Sequence, residues 1–351
     1  MAYTTIDDPS VYFQTTLYTG SGSSTQNVVN GGNSDLQPDL VWVKNRTDAR
    51  WHRLVDSSRG VSKNLYSNED DREGTETSVT AFNSDGFSLG TDTGSDGWNE
   101  DGDAHVAWQW KANGGTTASN SNGSITSTVQ ANTTAGFSII TYTANGTADA
   151  TVGHGLSAAP QVYWCKARTY DSDVNWIAEW SAFTSGSPNL NLNRAPINYS
   201  GDSPLMTAQA TTITHTTARA ETNHTGTHVI YCWTPIQGYS KFGSYTGNGN
   251  ADGPFVYTGF KPAWLMARRT DAANEFFIWD TKRNPFNVTN NELRAGTNDA
   301  ESTTDKLDLL SNGFKIRNTY ASGNADGGNY IYMAFAESPF VSSEGVPTTA
   351  R

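Results

Sequence analysis

The sequence predicts an all-β protein built from three tandem β-sandwich domains of jelly-roll type. Charged residues make up 17% of the 351-residue chain, against about 25% in ordinary globular proteins, while Trp, Tyr and Phe together reach 11%. Few charged side chains, many aromatic and β-branched residues and frequent Gly and Asn turn formers favour strands over helices. In addition, one series of short alternating runs occurs three times along the chain.

The first recurring landmark is an aromatic residue followed by a turn that contains tyrosine and glycine or alanine. Phe13, Phe137 and Phe242 open the three repeats, and each precedes a Tyr-Thr pair by a few residues. Small residues and asparagine follow the Tyr-Thr pair, as expected for a tight turn. Each stretch therefore predicts an opening strand and a turn.

The second landmark is a proline that leads into an apolar run ending in a basic residue and threonine. These runs occupy residues 38–47, 160–169 and 262–270. Proline fixes φ and lacks an N–H donor, so it suits the start of a strand. Within the first run, valines alternate with Trp42 and Lys44, which predicts a strand with two differently lined faces.

Each repeat ends with an alternation rich in aromatic residues, at 105–110, 228–233 and 330–335. From the first repeat to the second, the prolines lie 122 residues apart and the closing runs 123. From the second repeat to the third, both separations are 102 residues, and such agreement indicates a copied structural unit. The outer repeats also share a Gly-Phe turn, at 83–89 and 310–316, which the middle repeat lacks.

The spacing of the landmarks predicts the organisation of the chain. The extra residues between the first two repeats are rich in Gly, Ser, Thr and Asn, which is typical of a flexible or loosely extended linker. The best candidate for a helix, 304–310, is short and aligns with a predicted strand at 78–82. The predicted segments are repeat 1 with a short N-terminal arm (1–112), the linker (113–135), repeat 2 (136–237), repeat 3 (238–340) and a C-terminal tail (341–351).

Charge and cysteine content limit the classes of function. A net charge of −12 without any basic run disfavours nucleic-acid binding. No apolar segment reaches the length of a membrane helix and the first residues lack signal-peptide features, so we expect no membrane insertion and no export by that route. Cys165 and Cys232 are expected to be reduced, buried thiols, with a disulfide left open. An extracellular type of composition without these features favours a virion protein, assembled in the host cytoplasm and released by lysis.

The order of the motifs resembles a repeat found in predicted virion proteins of marine tailed bacteriophages. The resemblance covers roughly residues 10–340, and the second repeat departs from it by ending in HVIYCW. Similarity to this family implies a jelly roll of the concanavalin and laminin-G-like group and a tail fibre or another virion surface protein. The motifs are YTG at 18–20, QPDLVWVKNRT at 37–47, SDGFSLG at 84–90, VAWQWKA at 106–112 and YIYMAFAESPF at 330–340.

Candidate functional residues are few, and no catalytic or cofactor-binding motif is found. His105 and His228 occupy equivalent places where the third repeat has Tyr330, which favours strand packing over a base or ligand. The acidic stretch 92–103 could chelate calcium, but it does not match an EF-hand, and a solvated hairpin turn is the favoured interpretation. Trp98 is predicted to be an exposed tryptophan, suited to stacking on a sugar.

These observations predict a structural protein exposed on a phage particle, with no enzymatic activity, metal or cofactor. As a tail fibre or adhesin it would contact host surface glycans, and as a capsid decoration protein it would contact other virion proteins. A lectin or a carbohydrate-active enzyme is the alternative from a different class. Repeated units with exposed strand edges also predict a homo-oligomer, which would be a trimer if the protein is fibre-like.

Overall fold

The chain is almost entirely β-structure, which confirms the predicted fold class. The named strands pair antiparallel, and the helical segments of the described chain are a short 3-10 helix at Pro9–Val11 and an α-helix at Ala321–Asn324. The computed structural model describes residues 2–23, 26–92, 97–181, 189–198 and 204–347.

The strands follow the three sequence repeats. Repeat 1 contains β1 (Phe13–Thr19), β2 (Gln26–Val28), β3 (Leu40–Asn45), β4 (Arg53–Asp56), β5 (Val79–Phe82), β6 (Phe87–Leu89) and β7 (Ala104–Trp110). The next strands are β8 (Ala118–Asn120), β9 (Ser127–Asn132), β10 (Phe137–Thr143), β11 (Ala150–Gly153), β12 (Val162–Ala167), β13 (Ile177–Trp180), β14 (Asn189–Asn191), β15 (Arg194–Asn198), β16 (Met206–Ala208), β17 (Thr212–His215) and β18 (Thr227–Trp233). Repeat 3 contains β19 (Ser240–Thr246), β20 (Phe255–Tyr257), β21 (Phe260–Arg269), β22 (Phe277–Asp280), β23 (Leu293–Arg294), β24 (Leu307–Leu310), β25 (Gly313–Ile316) and β26 (Asn329–Pro339).

Each repeat is a two-layer sandwich. The large sheet has one strand order in all three repeats: β1-β7-β3-β4, β10-β18-β12-β13 and β19-β26-β21-β22. A small sheet covers its outer face, with the orders β2-β6-β5, β11-β17-β16 and β20-β25-β24. In repeat 1, Val41 and Val43 of the large sheet pack against Val28, Phe87 and Leu89 of the small one. The alternation within β3 thus places valines toward the small sheet, as a strand pattern requires.

The inner faces of the three large sheets share one hydrophobic core. Trp110 of repeat 1 lies 6.2 Å from Trp233 of repeat 2 and 5.7 Å from Trp264 of repeat 3, measured between ring centroids. Trp180 of repeat 2 stacks on Phe276 of repeat 3 at 5.6 Å. One continuous cluster of buried residues includes members of all three repeats. The repeats therefore pack around a common centre rather than following one another as separate cores.

The predicted linker is only partly a linker, because two of its segments are strands. β9 pairs with the opening strand β10, and β8 pairs with β9, so both extend the large sheet of repeat 2. The prediction of a flexible stretch over 113–135 is wrong for these residues. Composition indicated mobility, but the adjacent β-branched residues Thr128 and Val129 suit a strand. Backbone pairing with β10 then replaces the hydrogen bonds to water.

The remaining landmarks lie where the repeat predicts, with one difference of register. The Gly-Phe turns join β5 to β6 and β24 to β25, and the middle repeat forms the hairpin of β16 and β17 without that motif. The helix candidate at 304–310 contains strand β24. In the large sheets, Phe13 lies opposite Trp110, but Ser240 rather than Phe242 lies opposite Phe335.

The basic residue of each proline-led strand fastens one repeat to another. Lys44 of repeat 1 donates from Nζ to the carbonyl oxygen of Asn298 in repeat 3 at 3.1 Å. Lys166 of repeat 2 donates to the carbonyl oxygen of Asp70 in repeat 1 at 2.8 Å. Arg268 of repeat 3 donates to the carbonyls of Asn191 and Ala195 in repeat 2, at 2.7 and 2.8 Å. All three basic side chains are buried, so these contacts close the repeats into a ring.

A second contact uses an Asp-x-x-Arg turn that follows the fourth strand of the sheet in repeats 1 and 3. The turns span 56–59 and 280–283, and in each the Asp and Arg side chains form a fully buried ion pair. The Tyr231 hydroxyl of repeat 2 donates to the Asp56 carboxylate at 2.7 Å. The Trp108 indole N–H of repeat 1 donates to the Asp280 carboxylate at 3.1 Å. Met333 of repeat 3 lies at the position of Trp108 and Tyr231 and cannot donate a hydrogen bond. Trp180 of repeat 2 lies at the position that Asp occupies in repeats 1 and 3.

Candidate functional site

The equivalent histidines are packing residues, as their exchange with tyrosine predicts. His105 stacks on Tyr18 at 4.9 Å, His228 stacks on Tyr142 at 5.3 Å, and in repeat 3 the pair is Tyr330 on Tyr245 at 4.8 Å. The partners lie directly opposite each other on the opening and closing strands. Burial lowers the pKa of His228 to about 4, so its imidazole is neutral near pH 7.

Both cysteines are free and buried. They lie on the adjacent strands β12 and β18, where Cys165 is opposite Ile230 and Cys232 is opposite Tyr163. Burial raises the pKa of Cys165 to about 12, and it raises the pKa of Cys232 as well. Because the thiolate is the reactive form, neither thiol is available as a nucleophile in the folded protein.

The acidic stretch 92–103 is organised by its own backbone, with residues 93–96 outside the described part of the chain. Oδ2 of Asp92 accepts hydrogen bonds from the backbone N–H groups of Gly97, Trp98 and Asn99 at 2.9 to 3.1 Å. This places Trp98 inside, with 2% of its surface exposed, so the prediction of an exposed Trp98 is wrong. The Asp92 carboxylate draws the loop inward, an effect that the local sequence pattern does not reveal.

Three carboxylates, Asp48, Glu100 and Asp103, have oxygen atoms within 4.8 Å of one another beside this stretch. The Arg50 guanidinium pairs with Glu100 at 2.8 Å and with Asp48 at 3.3 Å. Asn45 donates to Asp103 at 2.7 Å. The positive charge that this group of acids needs is therefore supplied by the protein itself.

Trp51 is the tryptophan that reaches solvent. The other ten are buried, whereas Trp51 is 38% exposed. It lies at the end of the connection between β3 and β4, and its ring packs edge-on against Tyr66 at 5.4 Å. The Arg53 guanidinium lies 4.7 Å from the Tyr66 ring and 5.2 Å from the Trp98 ring, so it fills the space behind the exposed aromatic group. These contacts hold the Trp51 ring as a fixed platform.

Next to this platform lies a cleft of about 600 Å³ between repeats 1 and 2. We call it the junction cleft; it is lined by residues 66–76 of repeat 1 and 168–173 of repeat 2. Backbone hydrogen bonds join its two walls, from Glu73 N–H to the Arg168 carbonyl at 3.2 Å and from Val174 N–H to the Asp70 carbonyl at 3.0 Å. The walls are thus held at a fixed separation.

A network of charges forms the base of the junction cleft. Glu73 accepts two hydrogen bonds from Arg168, at 2.7 and 3.0 Å, and one from Arg59 at 3.0 Å. Burial opposes ionisation of Glu73, but the two guanidinium groups outweigh it and lower its pKa. Tyr66 donates its hydroxyl to the Glu76 carboxylate at 2.7 Å. These groups are internally paired and serve as a rigid base.

The rim of the junction cleft carries the groups that remain available to a ligand. They are Asp71, Arg72, Tyr170, Asp171 and Asp173. Arg72 and Asp173 are about half exposed and lie 3.6 Å apart, so their ion pair is weak and exchangeable with solvent. Burial, followed by the neighbouring carboxylates of Asp173 and Asp70, raises the pKa of Asp71.

This combination can hold a polyhydroxylated ring. An exposed indole offers an apolar face with little rotamer entropy to lose, and carboxylates and a guanidinium accept and donate hydrogen bonds to hydroxyl groups. The exposed tryptophan is Trp51 and not Trp98, where the sequence predicted it. A local signal for the cleft did exist, because residues 69–73 read EDDRE in a chain that is otherwise poor in charge.

The family of the chain follows from a comparison with family models. The model described as a domain of unknown function (DUF7483) matches residues 8–339, which include all three repeats. The chain belongs to this family. No curated protein and no solved structure matches the chain.

The described helices give no sign of a membrane span. None of them combines the length and the apolar character that crossing a bilayer requires.

Proposed function

We propose that the protein is a non-enzymatic surface component of a tailed-phage particle, of the tail fibre or adhesin type, which contacts host surface glycans. The observation that carries the glycan assignment is the exposed Trp51 ring, braced by Arg53 and Tyr66 beside the charged rim of the junction cleft. The virion assignment is supported by the composition of the chain and by the resemblance of its motifs to phage repeats.

The closed arrangement of the three repeats suits the binding of a glycan. Buried cations and ion pairs fasten neighbouring repeats, so the loops that line the junction cleft are held by two repeats at once. A fixed site loses little conformational entropy when it binds a ligand. Weak individual sites would gain avidity if several copies are displayed together, and we propose a homo-oligomer on the particle for that reason.

Glycan binding is tested with the purified full chain on an array of bacterial surface polysaccharides. Trp51→Ala should weaken binding at least about two- to thirteenfold, since an aromatic contact is worth about 0.5–1.5 kcal/mol beyond its buried area. Asp71→Asn should weaken binding to the same glycans. Tyr320→Ala is the matched control, because Tyr320 is another aromatic residue that is 52% exposed and lies in repeat 3. Equal binding by Trp51→Ala and the wild-type chain would reject this site.

Placement on the particle is tested by cryo-electron microscopy of purified virions with labelled antibody. Tens of copies or fewer at the tail would support the adhesin. Hundreds of copies over the head would instead identify a capsid decoration protein that contacts other virion proteins. Absence from the particle would reject the virion proposal.

A carbohydrate-active enzyme is the second candidate, and one observation favours it. Asp71 has a raised pKa and lies with Asp173 on the same rim, which is an arrangement of two carboxylates that an acid–base pair would need. Release of reducing sugar from a bound polysaccharide by the wild-type chain, lost in Asp71→Asn, would establish the enzyme. Binding without release supports the adhesin.

A further inference from the structure

A second cleft, of about 490 Å³, lies between repeats 1 and 3. We call it the edge groove. One wall is the start of strand β1, with Phe13 and Thr15, and the other includes Thr281 and Lys282, which belong to the Asp-x-x-Arg turn of repeat 3. The edge groove shares no lining residue with the junction cleft, so its occupation is independent of glycan binding.

The equivalent place between repeats 2 and 1 is already filled by a strand. β9 pairs with β10, which is the counterpart of β1, and its Gln130 lies opposite Ile139. The Gln130 amide donates to the hydroxyls of Ser57 and Ser58, at 2.9 and 2.8 Å. Ser57 and Ser58 follow the Asp of the turn in repeat 1, as Thr281 and Lys282 do in repeat 3. The molecule thus contains an occupied and an unoccupied version of one groove.

The edge of β1 has the hydrogen-bonding groups that a further strand needs. The pairing of β1 with β7 uses alternate residues, because Lys111 N–H bonds the Tyr12 carbonyl and Gly20 N–H bonds the Asp103 carbonyl. The backbone groups of Thr15 and Leu17 therefore face away from β7. Within the described chain these groups have no hydrogen-bond partner. The corresponding groups of Ile139 and Thr141 in β10 face β9.

Thr15 is also unusual in its side chain. Its residue is only 6% exposed, it lines the edge groove, and its hydroxyl has no hydrogen-bond partner among the described residues. A buried hydroxyl without a partner costs free energy unless a bound group completes it. The free backbone groups of β1 are complementary to an incoming main chain.

The charges of the groove indicate what side chain the incoming strand would carry. Lys261 is paired with Glu337 at 2.7 Å, whereas Lys282 has no ion pair in the described part of the structure. Lys282 stands where Ser58 meets Gln130 in the filled groove. A carboxylate at the position of Gln130 would reach this lysine and bind more strongly than an amide.

We propose that the edge groove binds an extended segment of a partner protein, which adds to β1 as an antiparallel strand and directs an acidic side chain toward Lys282. Strand addition of this kind draws affinity from main-chain hydrogen bonds and specificity from alternate side chains. The register is that of β9 on β10, with the acidic residue opposite Thr15.

The first experiment uses the full chain and peptides copied from its own β9. The parent peptide has the sequence of residues 126–133, TSTVQANT, and two variants replace its glutamine by glutamate or lysine. We expect the glutamate peptide to bind at least about fivefold more tightly than the lysine peptide. In Lys282→Glu this preference should reverse. Hydrogen exchange should show new protection of the Thr15 and Leu17 amides.

A proline variant separates strand addition from other modes of binding. Thr15→Pro removes an N–H that faces the groove and not the ladder with β7, so the sheet of repeat 1 is retained. It should abolish binding of the glutamate peptide. Ser244→Pro is the matched control, because Ser244 has the same outward-facing register on β19 of repeat 3, and it should bind as the wild-type chain does.

Three results would overturn the proposal. The first is the absence of new protection at Thr15 and Leu17 with about 1 mM glutamate peptide. The second is an equal loss of binding in Thr15→Pro and Ser244→Pro. The third is self-association of the purified chain that Thr15→Pro abolishes, since the occupant would then be a second copy and not a different protein. None of these results bears on the glycan array, so failure here leaves the proposed function standing.

Discussion

Replacement of Tyr231 by phenylalanine removes a single oxygen atom from the junction of repeats 1 and 2. That hydroxyl donates to Asp56 at 2.7 Å and accepts from Arg59 at 3.1 Å. All three side chains are buried, so water cannot replace the lost contact. Hydrogen bonds to charged groups contribute about 1.5–3 kcal/mol. We therefore expect Tyr231→Phe to lower the free energy of unfolding by about 2 kcal/mol.

The assay is urea denaturation followed by tryptophan fluorescence, with the dependence on urea unchanged between variants. Tyr332→Phe is the control: Tyr332 is 2% exposed, and its hydroxyl makes no hydrogen bond in the described structure. Its free energy of unfolding should change by less than about 0.5 kcal/mol. A double-mutant cycle with Asp56→Asn should show coupling to Tyr231 only. Equal losses for the two phenylalanine variants would refute the role given to the Asp-x-x-Arg turn.

Three further predictions concern the pH dependence, the thiols and the former linker. Burial lowers the pKa of Lys44 to about 7 from an ordinary value of 10.5. The unfolded chain therefore binds a proton at Lys44 that the folded chain has lost, so the free energy of unfolding should rise between pH 7 and pH 10.5 and fall again as the pH returns toward 7. Lys44→Met should remove this part of the pH profile of unfolding. Cys165 and Cys232 should not react with a thiol reagent at pH 8 until denaturant is added, and rapid reaction of the native protein would contradict their burial. Residues 127–132 should resist proteinase K in the native chain, because β9 is paired on both sides, whereas early cleavage there would support a flexible linker.

The repeated elements could be predicted from sequence because they depend on local pattern. Proline at a strand entrance, alternation in the strand and glycine in the turn each act within a few residues. The equivalence of His105, His228 and Tyr330 was also visible, and their stacking on opposing tyrosines follows from it. These features needed no knowledge of what lies across the core.

The contacts between repeats could not be predicted in this way. The sequence shows basic residues near the end of each proline-led run, but nothing local shows that the partners of Lys44, Lys166 and Arg268 are carbonyl groups of another repeat. The two Asp-x-x-Arg turns do recur at equivalent places in the sequence, so their spacing is a local signal. Their significance depends on a donor from a neighbouring repeat, which only the closed ring brings near.

At the candidate site, too, the exposure of the tryptophans depends on contacts that the local pattern does not show. Trp98 lies in a loop of Gly and Asp, which is typical of exposure, yet three backbone N–H groups around Asp92 draw it inside. Trp51 is separated from a buried strand by one residue and reaches solvent instead. The junction cleft exists only because two repeats meet, so its residues are far apart in sequence.

Differential scanning calorimetry tests most directly whether the three repeats form one closed unit. Unfolding absorbs about 0.7 kcal/mol per residue near 60 °C, so the 351-residue chain should absorb about 250 kcal/mol. If the ring unfolds as one unit, the van't Hoff enthalpy of a single transition should equal this calorimetric value. A van't Hoff enthalpy near one third of it, or three resolved transitions, would show that the repeats unfold independently and would contradict the shared core.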